Sequence, residues 1–122
     1  MSAEEIVMGF IHAVERKDFA AALALVSDDV EYDNVPMSKV YGPDGVRSVL
    51  EPFLAGADEI EWVVHRQVSN GTTVMNERTD RFHIAGRWLE IPVAGIWEIR
   101  NGKIALWRDY FDMQTMTAQM GG

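Results

Sequence analysis

The sequence predicts an α+β domain: a curved sheet covered on one side by helices that come first in the chain. Two observations carry this. Apolar residues recur at helical spacing in the first half, and from Glu59 onward the period becomes two. Turn signals at Asn70-Gly71, Ala85-Gly86 and Asn101-Gly102 then divide the second half into a meander of long strands. With 122 residues the chain reads as one domain, 1–122, large enough to bury a core.

Ser2 and Glu5 form a capping box ahead of Ile6, Val7, Phe10, Ile11 and Val14, so residues 3–16 read as an amphipathic helix. Asp18 caps a short second helix carrying Phe19, Leu23 and Val26. Residues 29–35 read as extended. Gly42-Pro43 opens a third helix with Val46, Val49, Leu50 and Phe53 on one face. Pro52 predicts its end or a kink near residue 51. Strands follow from Glu59, over about 72–84, 87–99 and 103–112, and the tail from Met113 to Gly122 is expected to fray. For the last hairpin, a three-residue loop from Arg100 to Gly102 sets Trp97 opposite Ala105 and Val93 opposite Asp109. It is preferred to a two-residue loop because it keeps Leu89, Ile91, Val93, Trp97, Trp107 and Phe111 on one face.

Composition narrows the function classes. The chain has no cysteine, which excludes disulfides, thiolate metal sites and a cysteine nucleophile. Its net charge of −8 argues against a nucleic-acid partner. No apolar run approaches the ~20 residues that span a bilayer, and the N-terminus lacks a signal-peptide pattern. A soluble cytoplasmic protein is therefore expected, with no membrane partner. Four tryptophans suit a large core or an apolar pocket.

Charge on an apolar face is the informative departure. Strand alternation places Val74, Asn76, Arg78, Asp80 and Phe82 together, Trp107, Asp109 and Phe111 together, and Val30, Tyr32 and Asn34 together. An inward Arg78 needs carboxylate partners, and Asp80 and Asp109 are the inward carboxylates. A planar guanidinium bridges two of them. Two such carboxylates need not ionise alike, so one can serve as an acid and the other as a base, with water held by Tyr32 and Asn34. The plainer reading also stands: Arg78–Asp80 as a structural ion pair, and Asp109 as a turn cap. Arg108 and Asp112 point the other way and are expected to pair outside the pocket.

Tyr32-x-Asn34, Asn76-Glu77-Arg78-x-Asp80 and Trp107-Arg108-Asp109-Tyr110-Phe111-Asp112, in this order and separation, resemble the limonene-1,2-epoxide hydrolase family over nearly the whole chain. The resemblance implies the cone-shaped nuclear transport factor 2-like fold, a curved mixed β-sheet covered by N-terminal helices. It implies that Tyr32, Asn34 and Asp109 hold and activate water, that Arg78 bridges the carboxylates, and that Asp80 protonates the epoxide oxygen. Trp107 would line the pocket; Val74, Phe82 and Phe111, on the same inner face, are the candidates for the rest of its wall. The implied reaction converts an apolar epoxide and water to a vicinal diol in one step. It uses neither metal nor cofactor and takes place in a homodimer. Beginning close to its first long helix, the sequence is expected to lack the N-terminal extension that helps to close the pocket in the limonene enzyme.

Two other readings remain on the same fold: an isomerase or cyclase like ketosteroid isomerase, with a carboxylate near Asp33 or Asn34 as base, and a non-catalytic module for a small apolar ligand. Asn34 and the arginine between two carboxylates count against the isomerase. His12, His65 and His83 have no metal-ligand spacing. Among the methionines, Met37, Met75 and Met113 are the candidates for pocket lining, and nothing selects one.

Overall fold

The computed structural model describes residues 1–121; Gly122, part of the tail expected to fray, lies outside the described residues. The described residues form four helices and six strands in the order α1 (Ala3–Glu15), α2 (Phe19–Leu23), β1 (Val26–Asn34), β2 (Lys39–Tyr41), α3 (Gly42–Ala55), β3 (Glu59–Ser69), β4 (Thr73–Ile84), β5 (Arg87–Arg100), β6 (Lys103–Phe111) and α4 (Met113–Met120). The strands form one mixed curved sheet ordered β2-β1-β6-β5-β4-β3. β1 runs parallel to β6, and the other neighbours are antiparallel. This is the nuclear transport factor 2-like architecture expected from the sequence.

The capping box at Ser2 and Glu5 forms as expected and starts α1, which buries Ile6, Val7, Phe10, Ile11 and Val14. Phe10 meets Trp97 and Trp107 edge-on, at ring-centroid distances of 5.6 and 5.0 Å. These contacts clamp α1 over the middle of the sheet. α3 lies against β1 and buries Val46, Leu50 and Leu54. No helix among the described residues is long and apolar enough to cross a membrane.

Four sequence expectations are corrected. α2 ends at Leu23, and Val26 opens β1 instead of extending the helix. Of the two outcomes expected at Pro52, an end or a kink near residue 51, the end does not occur in α3. The helix runs through Pro52 to Ala55, because Leu50 and Leu54 are buried on either side of the proline and hold the last turn in helical form. Met113–Met120, expected to fray, forms a helix instead: Asp112 accepts from the Thr115 backbone N–H, and Met116 buries its side chain against the core. Asp112 is thus a helix cap and not a partner of Arg108. Arg108 instead pairs with Glu31 at 2.8 Å and Asp33 at 3.0 Å.

The last hairpin shows how a register error can leave faces intact. Asn101 and Gly102 both adopt positive φ (53° and 75°), and Arg100 pairs with Lys103. That is a two-residue primed turn, which matches the right-handed strand twist. Ala105 then bulges out, so Trp97 faces Trp107, Gly95 faces Asp109 and Val93 faces Phe111. The expected register was off by two residues. A shift of two preserves side-chain direction, so every inner-face residue stayed inner. At the β3–β4 turn, Gly71 (φ 99°) and Thr72 are the central pair, one residue later than the Asn70-Gly71 signal, and Asn70 accepts from the Thr72 and Thr73 N–H groups.

Candidate active site

Two rungs of side chains cross the inner face of the sheet. Val74, Trp97, Trp107 and Tyr32 are register partners on β4, β5, β6 and β1. Their rings stack: Trp97 on Trp107 at 4.9 Å and Trp107 on Tyr32 at 4.0 Å, with planes 8° and 6° apart. This aromatic rung is a rigid floor. The next rung up is polar, running Gln67, Asn76, Gly95, Asp109, Asn34 from β3 to β1.

Arg78 lies at the centre and is only 1% exposed. Its Nε and Nη2 donate to Oδ1 and Oδ2 of Asp80 at 2.9 and 3.0 Å. Nη2 also donates to Oδ2 of Asp109 at 2.9 Å, and Nη1 to Oδ1 of Asn76 at 3.0 Å. Asp109 reaches the arginine from β6 across the intervening β5, and this is possible because β5 carries Gly95 at that point. The second oxygen of Asp109 accepts from Trp107 Nε1 at 2.8 Å, which fixes the carboxylate plane. Tyr32 and Asn34 stand beside Asp109, with Asn34 Nδ2 donating to Tyr32 Oη at 3.0 Å.

Burial and charge separate these groups. Asp80 is pushed up to about 6, because burial outweighs the attraction of the Arg78 guanidinium and the Asp109 carboxylate opposes a second charge. Burial works against the Arg78 charge, but the two carboxylates more than offset it and hold the guanidinium protonated. Burial, reinforced by the charge of Asp109, raises the Tyr32 phenol, so its O–H remains a donor.

Asp80, Asp109, Tyr32 and Asn34 all open onto a cavity of about 150 Å³. Its other walls are apolar: Leu50 and Phe53 from α3, Trp62 from β3, Phe82 from β4, Ile91 and Val93 from β5, Phe111 from β6 and Met116 from α4. Phe53 meets Phe82 edge-on at 5.1 Å. A void of this size in an apolar interior accommodates a benzene-sized ring.

The structure thus brings together Tyr32, Asn34, Arg78, Asp80 and Asp109, and puts Phe82 and Phe111 on the cavity wall. Two expected wall residues lie elsewhere. Trp107 is sandwiched between Tyr32 and Trp97 beneath the site, and Val74 is fully buried at the far end of the aromatic rung. Stacking neighbours occupy the ring faces that a substrate would need. Of the three candidate methionines Met37 is at the cavity, Met75 is exposed on the outer sheet face and Met113 packs against the core; Met116 takes the position no sequence signal selected. Asn76, expected on the inner face and in the motif but with no role of its own, and Gly95 complete the site. A glycine inside a strand pattern was the available signal for close approach. The buried indole N–H of Trp62 has no hydrogen-bond partner among the described residues.

A family model described as the limonene-1,2-epoxide hydrolase catalytic domain matches residues 1–121. The chain belongs to the limonene-1,2-epoxide hydrolase family. Its relatives in this family include epoxide hydrolase EphG of Mycobacterium tuberculosis, 34% identical over 110 residues that cover 90% of this chain and 73% of the relative. The solved structure of an M. tuberculosis limonene-epoxide-hydrolase-like epoxide hydrolase superposes with a TM-score of 0.82 at 32% identity, covering 93% of this chain and 85% of that one. A SnoaL-like protein of Shewanella denitrificans superposes with a TM-score of 0.87 at 16% identity, covering 97% and 96%, and shares the fold alone.

Proposed function

We propose that this limonene-1,2-epoxide hydrolase family member hydrolyses a small apolar epoxide to a vicinal diol by one-step general acid/base attack of water. The observation that carries the reading is the Asp80–Arg78–Asp109 bridge at the wall of an otherwise apolar cavity. The two carboxylates share one cation, and burial raises Asp80 so that it can hold a proton.

Hydrogen-bond inventory supports the roles. A water beside Asp109 has two protons and two lone pairs. Asp109 takes one proton as base, and the Oδ1 of Asn34 accepts the other hydrogen, because the Asn34 amide nitrogen is turned to Tyr32. The Tyr32 O–H fills one lone pair, and the second is left to attack a ring carbon. As the C–O bond breaks, Asp80 gives its proton to the departing oxygen, which avoids a free alkoxide. The cycle closes when Asp109 loses the water proton and Asp80 regains one. Each transfer typically contributes 10²–10⁴-fold, and prior placement of water, acid and epoxide contributes further. On this reading the chain works as one catalytic domain without a cofactor and pairs as a homodimer. Tyr110, Met75 and Val63, exposed on the outer sheet face, support the pairing.

The test is a single turnover in ¹⁸O-labelled water with limonene, cyclohexene and styrene oxides. Label in the first-turnover diol is the expected result. Unlabelled first-turnover diol means the oxygen came from an enzyme carboxylate and overturns the water-attack mechanism. No diol from any epoxide returns the site to the isomerase or ligand-binding readings.

A further inference from the structure

The Arg78 guanidinium has one edge turned away from both carboxylates. Nη1 on that edge donates to Oδ1 of Asn76 at 3.0 Å, and the same oxygen accepts from Trp97 Nε1 at 3.3 Å. The Asn76 amide nitrogen donates to Oε1 of Gln67 at 3.1 Å. The amide therefore has a single workable orientation: reversing it would aim its N–H groups at two donors and its oxygen at an acceptor. Asn76 is 5% exposed, so water does not compete for these bonds.

We propose that Asn76 is a positioning residue, an uncharged acceptor that anchors the Nη1 edge of Arg78 so that the opposite edge stays shared between Asp80 and Asp109. The inference rests on the acid/base reading of those carboxylates. Its logic is charge: a guanidinium that already faces two carboxylates would be drawn towards a third, and the surplus negative charge would sit in apolar surroundings. A neutral carbonyl oxygen fixes the arginine without that surplus. The charged or titratable groups around Arg78 are Asp80 on its own strand, Asp109 on β6, Tyr32 on β1 and, from α1, Glu15, which accepts from the Trp62 backbone N–H. β3 adds the neutral Gln67 and Trp62, and β5 adds Gly95.

The experiment compares the wild type with Asn76→Asp and Asn76→Leu. Two readouts are taken: the pH profiles of kcat and kcat/KM for epoxide hydrolysis, and the ¹³C NMR titration of the Asp80 carboxyl without substrate. A third carboxylate at 76 is expected to move the Asp80 titration and the alkaline limb of the profile upward together, by about one pH unit. Asn76→Leu is expected to lower kcat by about tenfold or more with KM within about twofold, in a protein that still melts cooperatively. An Asn76→Asp protein with an unmoved titration, or a folded Asn76→Leu protein with wild-type kcat, overturns the proposal. Should Asn76→Leu fail to fold, the Asn76→Asp titration decides. If the wild type makes no diol, the hydrolase reading fails, while the NMR titration still judges the positioning role.

Discussion

Gly95 and Arg78 compete for one volume: a Cβ on Gly95 would stand 2.5 Å from Nη1 of Arg78, 2.9 Å from Oδ1 of Asp109 and 3.0 Å from Oδ1 of Asn76. All three atoms belong to one bonded network, so none can yield alone. The hydrogen of glycine is what lets an arginine on β4 reach an aspartate on β6 over the strand between them. Gly95→Ala is expected to lower kcat by about 100-fold or more and to cost about 1–3 kcal/mol by overpacking. Diol formation and thermal melting measure the two effects, and a Gly95→Ala protein with wild-type turnover would show that the bridge is not needed.

Asp80→Asn and Asp109→Asn are each expected to reduce turnover by about 10²–10⁴-fold, because an amide neither delivers nor takes the proton. Both variants should fold with lowered melting temperatures. Each side chain accepts on two oxygens, and an amide satisfies only one of those donors. Wild-type rates in either variant would remove that residue from the mechanism.

The rate should decline towards alkaline pH. With Asp80 pushed up to about 6, its acid form falls about tenfold per unit above that value. Stability follows the same sign. The folded chain holds this proton more tightly than the unfolded chain, whose Asp has the ordinary value of 3.8. The contribution is full below that value and is lost as pH rises through about 6. Melting temperatures between pH 4 and 7 should show this decline in the wild type and lose it in Asp80→Asn.

Tyr32→Phe keeps the stack on Trp107 and removes only the hydroxyl. The water then loses the donor to its lone pair, and Asn34 loses its acceptor. A fall in kcat of about 10–100-fold is expected, corresponding to a lost hydrogen bond of about 1–3 kcal/mol. An unchanged kcat would take Tyr32 out of the water site.

Asp112→Ala should destabilise the protein by about 1 kcal/mol, the usual cost of a lost N-cap. Because α4 carries Met116 at the cavity, KM should rise more than kcat falls. Steady-state kinetics with one epoxide gives both numbers, and a selective loss of kcat would contradict a purely lining role for α4.

Much of this was legible in the chain. The inner face of β4 was readable residue by residue because a period of two admits no ambiguity once Val74 and Phe82 are taken as buried. Charges at Arg78 and Asp80 then stood out against that face. What local patterning missed was set by distant contacts. Pro52 looked like a stop signal because intrinsic propensity is local, while burial of Leu50 and Leu54 is tertiary. The polar residues after Asp112 looked like a tail, since one buried methionine per two turns leaves little periodicity to read. Asn76 stands on the inner face and in the motif, but its role depends on Gln67, Trp97 and Arg78, two of which come from other strands.

Alternation and turn chemistry alone determined which side chains face inward, that a cation sits among carboxylates there, and that three helices precede a meander of long strands. Which residues touch was decided by the tertiary structure. The parallel pairing of β1 with β6 brings Asn34 beside Asp109, a contact between residues 75 positions apart that no local pattern encodes. The bulge at Ala105 selects Gly95 as the partner of Asp109, and packing of Trp107 between two rings takes it off the cavity wall. The physical reason is the same throughout. Side-chain direction follows from backbone geometry within a few residues, whereas strand order and register are settled by the whole core packing at once.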